Sequence, residues 1–133
     1  MQGARWVQTE LLDRYPRANV RVYAVWFNMY EGDSRARFRG ELMPDRRVEH
    51  FWDERRLLGR QYYEDLSKLA GRRAPGTKET EGQILWDAYL LYPPGATWEG
   101  GRTNVISWGR TILLTKDTLQ RDFVKYAARS AVR

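Results

Sequence analysis

The apolar positions of the chain change period as they go. Ala4, Val7, Leu11 and Tyr15 recur every three or four residues with Leu12 beside them, which predicts an amphipathic helix that Pro16 ends. From residue 20 to 28 the pattern becomes continuous: Val22, Tyr23, Ala24, Val25, Trp26 and Phe27 form an unbroken apolar run. Such a run, rich in β-branched and aromatic residues, reads as a strand buried on both faces, the habit of parallel sheets covered by helices. It stops at Asn28 and opens into a loop carrying Glu31, Gly32, Asp33, Ser34 and Arg35. Loops at the carboxyl ends of strands in open α/β sheets are where ligands tend to bind.

Further along, the polar stretch RARFRGELMPD suggests a helical turn, and residues 47 to 53 alternate as a short or edge strand through Val48, His50 and Trp52. Asp53 then stands where its carboxylate can cap a helix whose apolar stripe is Leu58, Tyr62, Leu66 and Leu69, with Gly71 as its stop. Residues 71 to 83 have no apolar side chain larger than Ala or Pro and predict a loop. A second central strand is expected over residues 84 to 92, closed by Pro93, Pro94 and Gly95, and a weaker one within TNVISWGRTILL. A last helix is expected from Thr115 as its cap, with Leu119, Phe123 and Tyr126 or Ala127 turned inward.

Helix, strand, short strand, helix, strand, strand, helix is an α/β order, and it predicts helices on both faces of a small mixed sheet. The 133 residues suit one domain over the whole chain, residues 1–133. A hydrophobic fraction of 42% is enough for a core. The 23 basic and 17 acidic residues give a net charge of +6. Because the signs are interspersed, as in MPDRRVEHFWDERR, this reads first as a solvated exterior. No run of about 18 apolar residues spans a bilayer and no secretory h-region is present, so the chain is expected in the cytoplasm. There is no cysteine, which excludes disulfides, thiolate catalysis and Cys-based metal sites within this chain.

The order of elements, together with the strings RVYAVWFNMYEGDSR, RVEHFWDERRLLGRQY and WDAYLLYPPGATW, resembles the thioredoxin fold from its active-site helix onward, and in particular a bacterial group of thioredoxin-like proteins. The resemblance implies a thioredoxin-like three-layer α/β/α sandwich with a small mixed sheet whose N-terminal strand is missing. In that family a strand and a Cys-x-x-Cys pair open the first helix, where the helix N-terminus lowers the pKa of the leading thiol. The matching position falls at or before Met1 to Gly3, and neither cysteine is present. Two expectations follow: an N-terminally shortened member of the family, or a cysteine-free member that keeps the scaffold for binding. In either case no thiol-disulfide oxidoreductase activity is expected of these residues.

For chemistry beyond thiols, the candidate ligand-binding residues are Trp26, Asp33, His50, Trp52 and Asp87. His50 is the only histidine, a general base or metal ligand by type, but with no neighbours at metal-ligand spacing it reads first as structural. Asp87 is a carboxylate in an apolar strand and must be hydrogen-bonded or carry a raised pKa. In the thioredoxin-like arrangement the start of its strand lies beside the active site, where relatives have a cis-proline, and this chain has Trp86 and Asp87 there instead. Glu31, Asp33 and Arg35 fit a ligand-facing loop, although Asp33 and Ser34 also suit bonds to their own backbone. No catalytic residue, metal site or cofactor is assigned, and the partner is left open, a protein being one possible class and no membrane being expected. A basic nucleic-acid-binding module is the alternative, with Arg102, Arg110, Arg121, Lys125, Arg129 and Arg133 as a stripe and Trp98 or Trp108 for base stacking.

Overall fold

The computed structural model describes residues 2–28, 40–70, 84–97 and 104–128. The first helix, α1, runs over Gln2–Trp6 and continues as wider π-helical turns over Val7–Leu12. Strand β1 is Val22–Trp26 and β2 is Val48–Trp52. Helix α2, Leu57–Ala70, leads to β3, Ala88–Leu91, and β4, Ser107–Arg110. A 3₁₀ turn at Ile112–Leu114 precedes α3, Lys116–Phe123, which widens into π-helical turns over Val124–Ala128. No described helix is long and apolar enough to cross a membrane.

The strands form two sheets of two strands each: β1 pairs with β2 in parallel, and β3 pairs with β4 antiparallel. The mixed α/β class expected from the sequence is present, whereas the single mixed sheet is not. Both parallel and antiparallel pairing occur, but in separate sheets, because among the described residues neither β1 nor β3 has a partner on its second edge.

Alternation along β3 places helices on both its faces, while Tyr23 and Phe51 leave one face of the β1–β2 pair exposed. Tyr89 packs with Leu11 of α1 and with Leu119, Phe123 and Ala127 of the last helix. Its neighbours Ala88 and Leu90 pack instead with Tyr62, Tyr63 and Leu66 of α2. On the other sheet Val22, Ala24 and Trp26 gather with Leu12, Met43 and Val48 on the α1 side. Val7 touches both α1-side clusters, so α1 lies across the space between the two sheets. Leu11, Leu12 and Leu66 are fully buried, each stabilising the fold by about 1.5–3 kcal/mol relative to exposure.

Several local expectations are met. Both oxygens of Asp53 accept from the amides of Leu57 and Leu58, at 3.0 and 2.8 Å, and cap α2. Leu119, Phe123 and Ala127 turn inward, while Tyr126 is exposed. Others are corrected. The strand expected over residues 84 to 92 starts only at Ala88, because Asp87 adopts φ 48° and breaks the extended run. Ile84 and Leu85 are consequently both buried rather than alternating. The Thr115 hydroxyl does not cap α3 and bonds back to the Thr111 carbonyl at 2.9 Å, closing the preceding turn instead. The 71–83 loop, the Gly71 stop and residues 35–39 of the turn expected over 35–45 lie outside the described residues.

Candidate functional site

The edges that β1 and β3 leave unpaired among the described residues face one groove. Its volume is ≈ 1530 Å³, and both strands line it along their whole length. Small-molecule sites occupy about 300–1,000 Å³, so this space exceeds what a typical small ligand fills. Leu11, Leu119 and Phe123 close it on the α1 and α3 side, and Leu58 and Tyr62 on the α2 side.

The orientation of the walls follows from Gly59. A Cβ at this position would lie 2.7 Å from Ile84 Cγ2, 3.1 Å from the Leu85 carbonyl oxygen and 3.6 Å from Phe27 Cζ. The end of β1 and the approach to β3 therefore meet at the same point, beside the start of α2, and the two walls run in opposite directions. The Gly59 carbonyl also accepts from the Leu85 amide at 2.9 Å, which fixes that corner.

Which backbone groups look into the groove can be read from the ladders. In a parallel pair, alternate residues turn both N–H and C=O to the same neighbour. Val22 donates to Arg47 and the Trp26 carbonyl accepts from Asp53, so Val22, Ala24 and Trp26 serve β2. Tyr23 and Val25 then present theirs to the groove. On β3, the carbonyls of Asp87 and Leu91 accept from Ile112 and Ile106 on the β4 side. By the same alternation Ala88 and Leu90 present theirs to the groove.

Asp87 stands at the β3 corner. Its Oδ1 is 2.9 Å from where a Gly3 Cβ would be, so the start of α1 packs against it and only glycine fits. Burial pushes the Asp87 carboxyl above its ordinary range, with the Arg110 cation opposing. Arg110 is itself buried: its Nε donates to the Trp86 carbonyl at 3.0 Å and its guanidinium lies 4.9 Å above the Trp86 ring. The sequence reading placed Arg110 in a basic surface stripe; the structure buries it against Trp86 instead.

Trp26 and Trp52 stand opposite each other in register at the ends of β1 and β2, and both line the groove, as does Asp87. His50 lies behind Trp26, outside the groove lining. Trp26 Nε1 donates to His50 Nδ1 at 3.1 Å, which leaves the ring proton on Nε2, 3.1 Å from the Met43 carbonyl. With both nitrogens engaged, the imidazole ties β1, β2 and the segment before β2 together and has no lone pair for a metal. Gly40, at φ 67°, passes so close that a Cβ would lie 3.3 Å from Nε2. Asp33, with Glu31 and Arg35, lies outside the described residues. The structure thus brings four of the five candidates to one side of the molecule, three in the groove wall and His50 as the support of one of them.

Of the residues expected in a basic stripe, Arg110 is buried and Arg121 bonds Asp122 at 3.0 Å. Trp108 packs against the α2 cluster. Arg102, Arg129, Arg133 and Trp98 lie outside the described residues. Among the described residues no group of three or more His, Cys, Asp or Glu is placed to hold a metal ion. Comparison of the chain with protein-family models, curated proteins and solved structures finds no match.

Proposed function

We propose that the chain is a thioredoxin-like domain that acts by non-covalent binding, an N-terminally shortened or non-catalytic member of a thiol-disulfide oxidoreductase-like family. One observation carries this reading: a parallel pair and an antiparallel pair of strands flank a groove, with α1 laid across it. A strand leading into α1 and lying beside β1 would form with them a β-α-β unit, the connection such folds use. The order of the remaining elements supports the same scaffold. Without a thiol, the chain has no group to attack a disulfide, so binding is the mode left to it.

The coding DNA upstream of Met1 separates the two forms of the proposal. An in-frame apolar strand followed by two cysteines two residues apart gives the shortened form, and a stop codon directly upstream gives the cysteine-free one. An experimentally determined structure in which β1 pairs directly with β3 overturns both, because the scaffold then has no place for the missing strand.

A further inference from the structure

We propose that the face of the β1–β2 pair turned away from α1 is the contact between two copies of this chain in a two-fold dimer. The proposal stands on the β1–β2 pair alone and is independent of the reading of the chain as thioredoxin-like.

The face is apolar where a solvated one would be polar. Val22, Ala24 and Trp26 point to the α1 side, so Tyr23 and Val25, with Arg21 just before the strand, point the other way. The parallel register sets Tyr23 opposite Glu49 and Val25 opposite Phe51, which puts all five side chains on one face. A strand with one wet face alternates apolar and polar residues, whereas the run from Val22 to Phe27 has no polar residue. Even so, Tyr23 is 49% exposed and Phe51 47%. Their rings lie side by side with centroids 6.0 Å apart. Together with Val25 and Leu58 they line a hollow of ≈ 360 Å³ beside the start of α2. Contiguous exposed aromatic surface of this kind is the mark of an interaction site.

The charges around it name the occupant. At one end Arg21 and Glu49, both exposed, are bonded at 2.6 Å. At the other, Asp53 is taken up as the cap of α2, and the exposed Glu54 and Arg55 beside it are again one of each sign. A rim balanced in this way attracts neither a polyanion nor a polycation, but it is complementary to itself. The cation Arg21 belongs to the β1 side and the anion Glu49 to β2. A two-fold axis parallel to the strands and running between them therefore lays each β1 over the β2 of the second copy. Arg21 then meets Glu49 of the second copy, Tyr23 meets its Phe51, and symmetry makes each contact twice. The patch is small beside a standard interface, so the dimer is weak and reversible, with a dissociation constant of about 10–100 μM.

Sedimentation velocity of the full 133-residue chain over a range of concentrations, in low salt, tests this. A monomer–dimer equilibrium is expected, and Phe51→Glu should raise the dissociation constant at least about tenfold. Arg21→Glu and Glu49→Arg should each raise it about threefold, since each sets like charges against one another across the axis. An equimolar mixture of those two variants should associate as tightly as the unaltered chain. Mixing cannot rebuild the ion pair inside either variant, so this recovery is a property of the contact between copies. Should Phe51→Glu unfold, the mixing experiment decides alone, because it alters only an exposed ion pair. A chain that stays monomeric at about 1 mM, well above the expected range, overturns the proposal and leaves the face to a different partner. A dimer indifferent to Phe51→Glu, a mixture no tighter than its components, or assembly that continues beyond two copies overturns it as well.

Discussion

The two halves of the molecule hold themselves together by different means. Around β1 and β2 the stabilising centre is polar. Arg47 bonds Asp45 at 2.7 Å and reaches the carbonyls of Leu12, Tyr15 and Ala18, so that one side chain joins β2 to the end of α1. His50 adds a second tie through Trp26 and Met43. Around β3 and β4 the contacts are mainly apolar, built on Tyr62, Tyr63, Leu66 and Leu85 on one face and Tyr89, Leu119 and Phe123 on the other. Its buried cation, Arg110, stacks on the Trp86 ring and donates to the Trp86 carbonyl. The difference teaches that each sheet is secured from its outer side and through the helices. Among the described residues no strand pairing crosses the groove between the two sheets.

The largest effect is expected where the polar half is cut. Arg47→Ala leaves Asp45 without its cation and removes the guanidinium from the Leu12, Tyr15 and Ala18 carbonyls, the last two keeping the Ala18 and Val20 amides, and should lower stability by about 3 kcal/mol in urea unfolding. A loss under about 1 kcal/mol would mean that this cluster is not what holds β2 to α1. On the apolar side, Gly59→Ala forces a Cβ into Ile84 and the Leu85 carbonyl and should cost about 2 kcal/mol by the same measurement. Because Gly59 stands where the two halves meet, an unchanged midpoint would show that the corner between β1 and β3 is looser than described. Trp26→Phe removes the indole donor to His50 Nδ1 and should cost about 1 kcal/mol, comparable to the loss of the Asp53 cap in Asp53→Ala.

Asp45 and Asp87 should answer acid in opposite senses. The Arg47 guanidinium hydrogen-bonded to Asp45 holds its carboxyl at about 2, below the ordinary 3.8. Its contribution to stability is present above the unfolded value and disappears as pH falls from near 4 toward 2. Burial raises Asp87, so folding favours its protonated form, and that contribution is present below the unfolded value and lost as pH rises through the folded one. Arg47→Ala should flatten the acid limb of a stability–pH curve. Asp87→Asn, which keeps a residue tolerant of positive φ, should leave that limb in place and slightly raise stability at neutral pH. The reverse pattern would exchange the roles of the two carboxylates.

How much of this is legible in the sequence depends on whether a feature is local. The spacing of Leu58, Tyr62 and Leu66 and the Asp53 cap each carry their own signal and appear as expected, whereas the run Val22 to Phe27 forms its strand but is not buried on both faces, since Tyr23 is exposed. The positive φ of Asp87 does not carry such a signal, because an aspartate inside an apolar run looks like a strand residue until the Ile112 amide is seen to bond its carbonyl. Nor does the separation of the sheets, since strand patterning says which faces are apolar and nothing about which edges meet. Asp45 and Arg47 looked like ordinary surface charges in a mixed stretch. Their role depends on the end of α1, more than 30 residues earlier in the chain, as the Arg47 bonds to Leu12 and Tyr15 span separations of 35 and 32.

The central claim is that β1 and β3 keep open edges on either side of one groove, and residue-resolved amide exchange on the chain alone tests it most directly. The account predicts slow exchange at Val22, Ala24 and Trp26, which serve β2, and fast exchange at Tyr23, Val25, Ala88 and Leu90. Equal protection at all seven amides would contradict it, because the two edges would then be bonded to each other and no groove would exist to be filled.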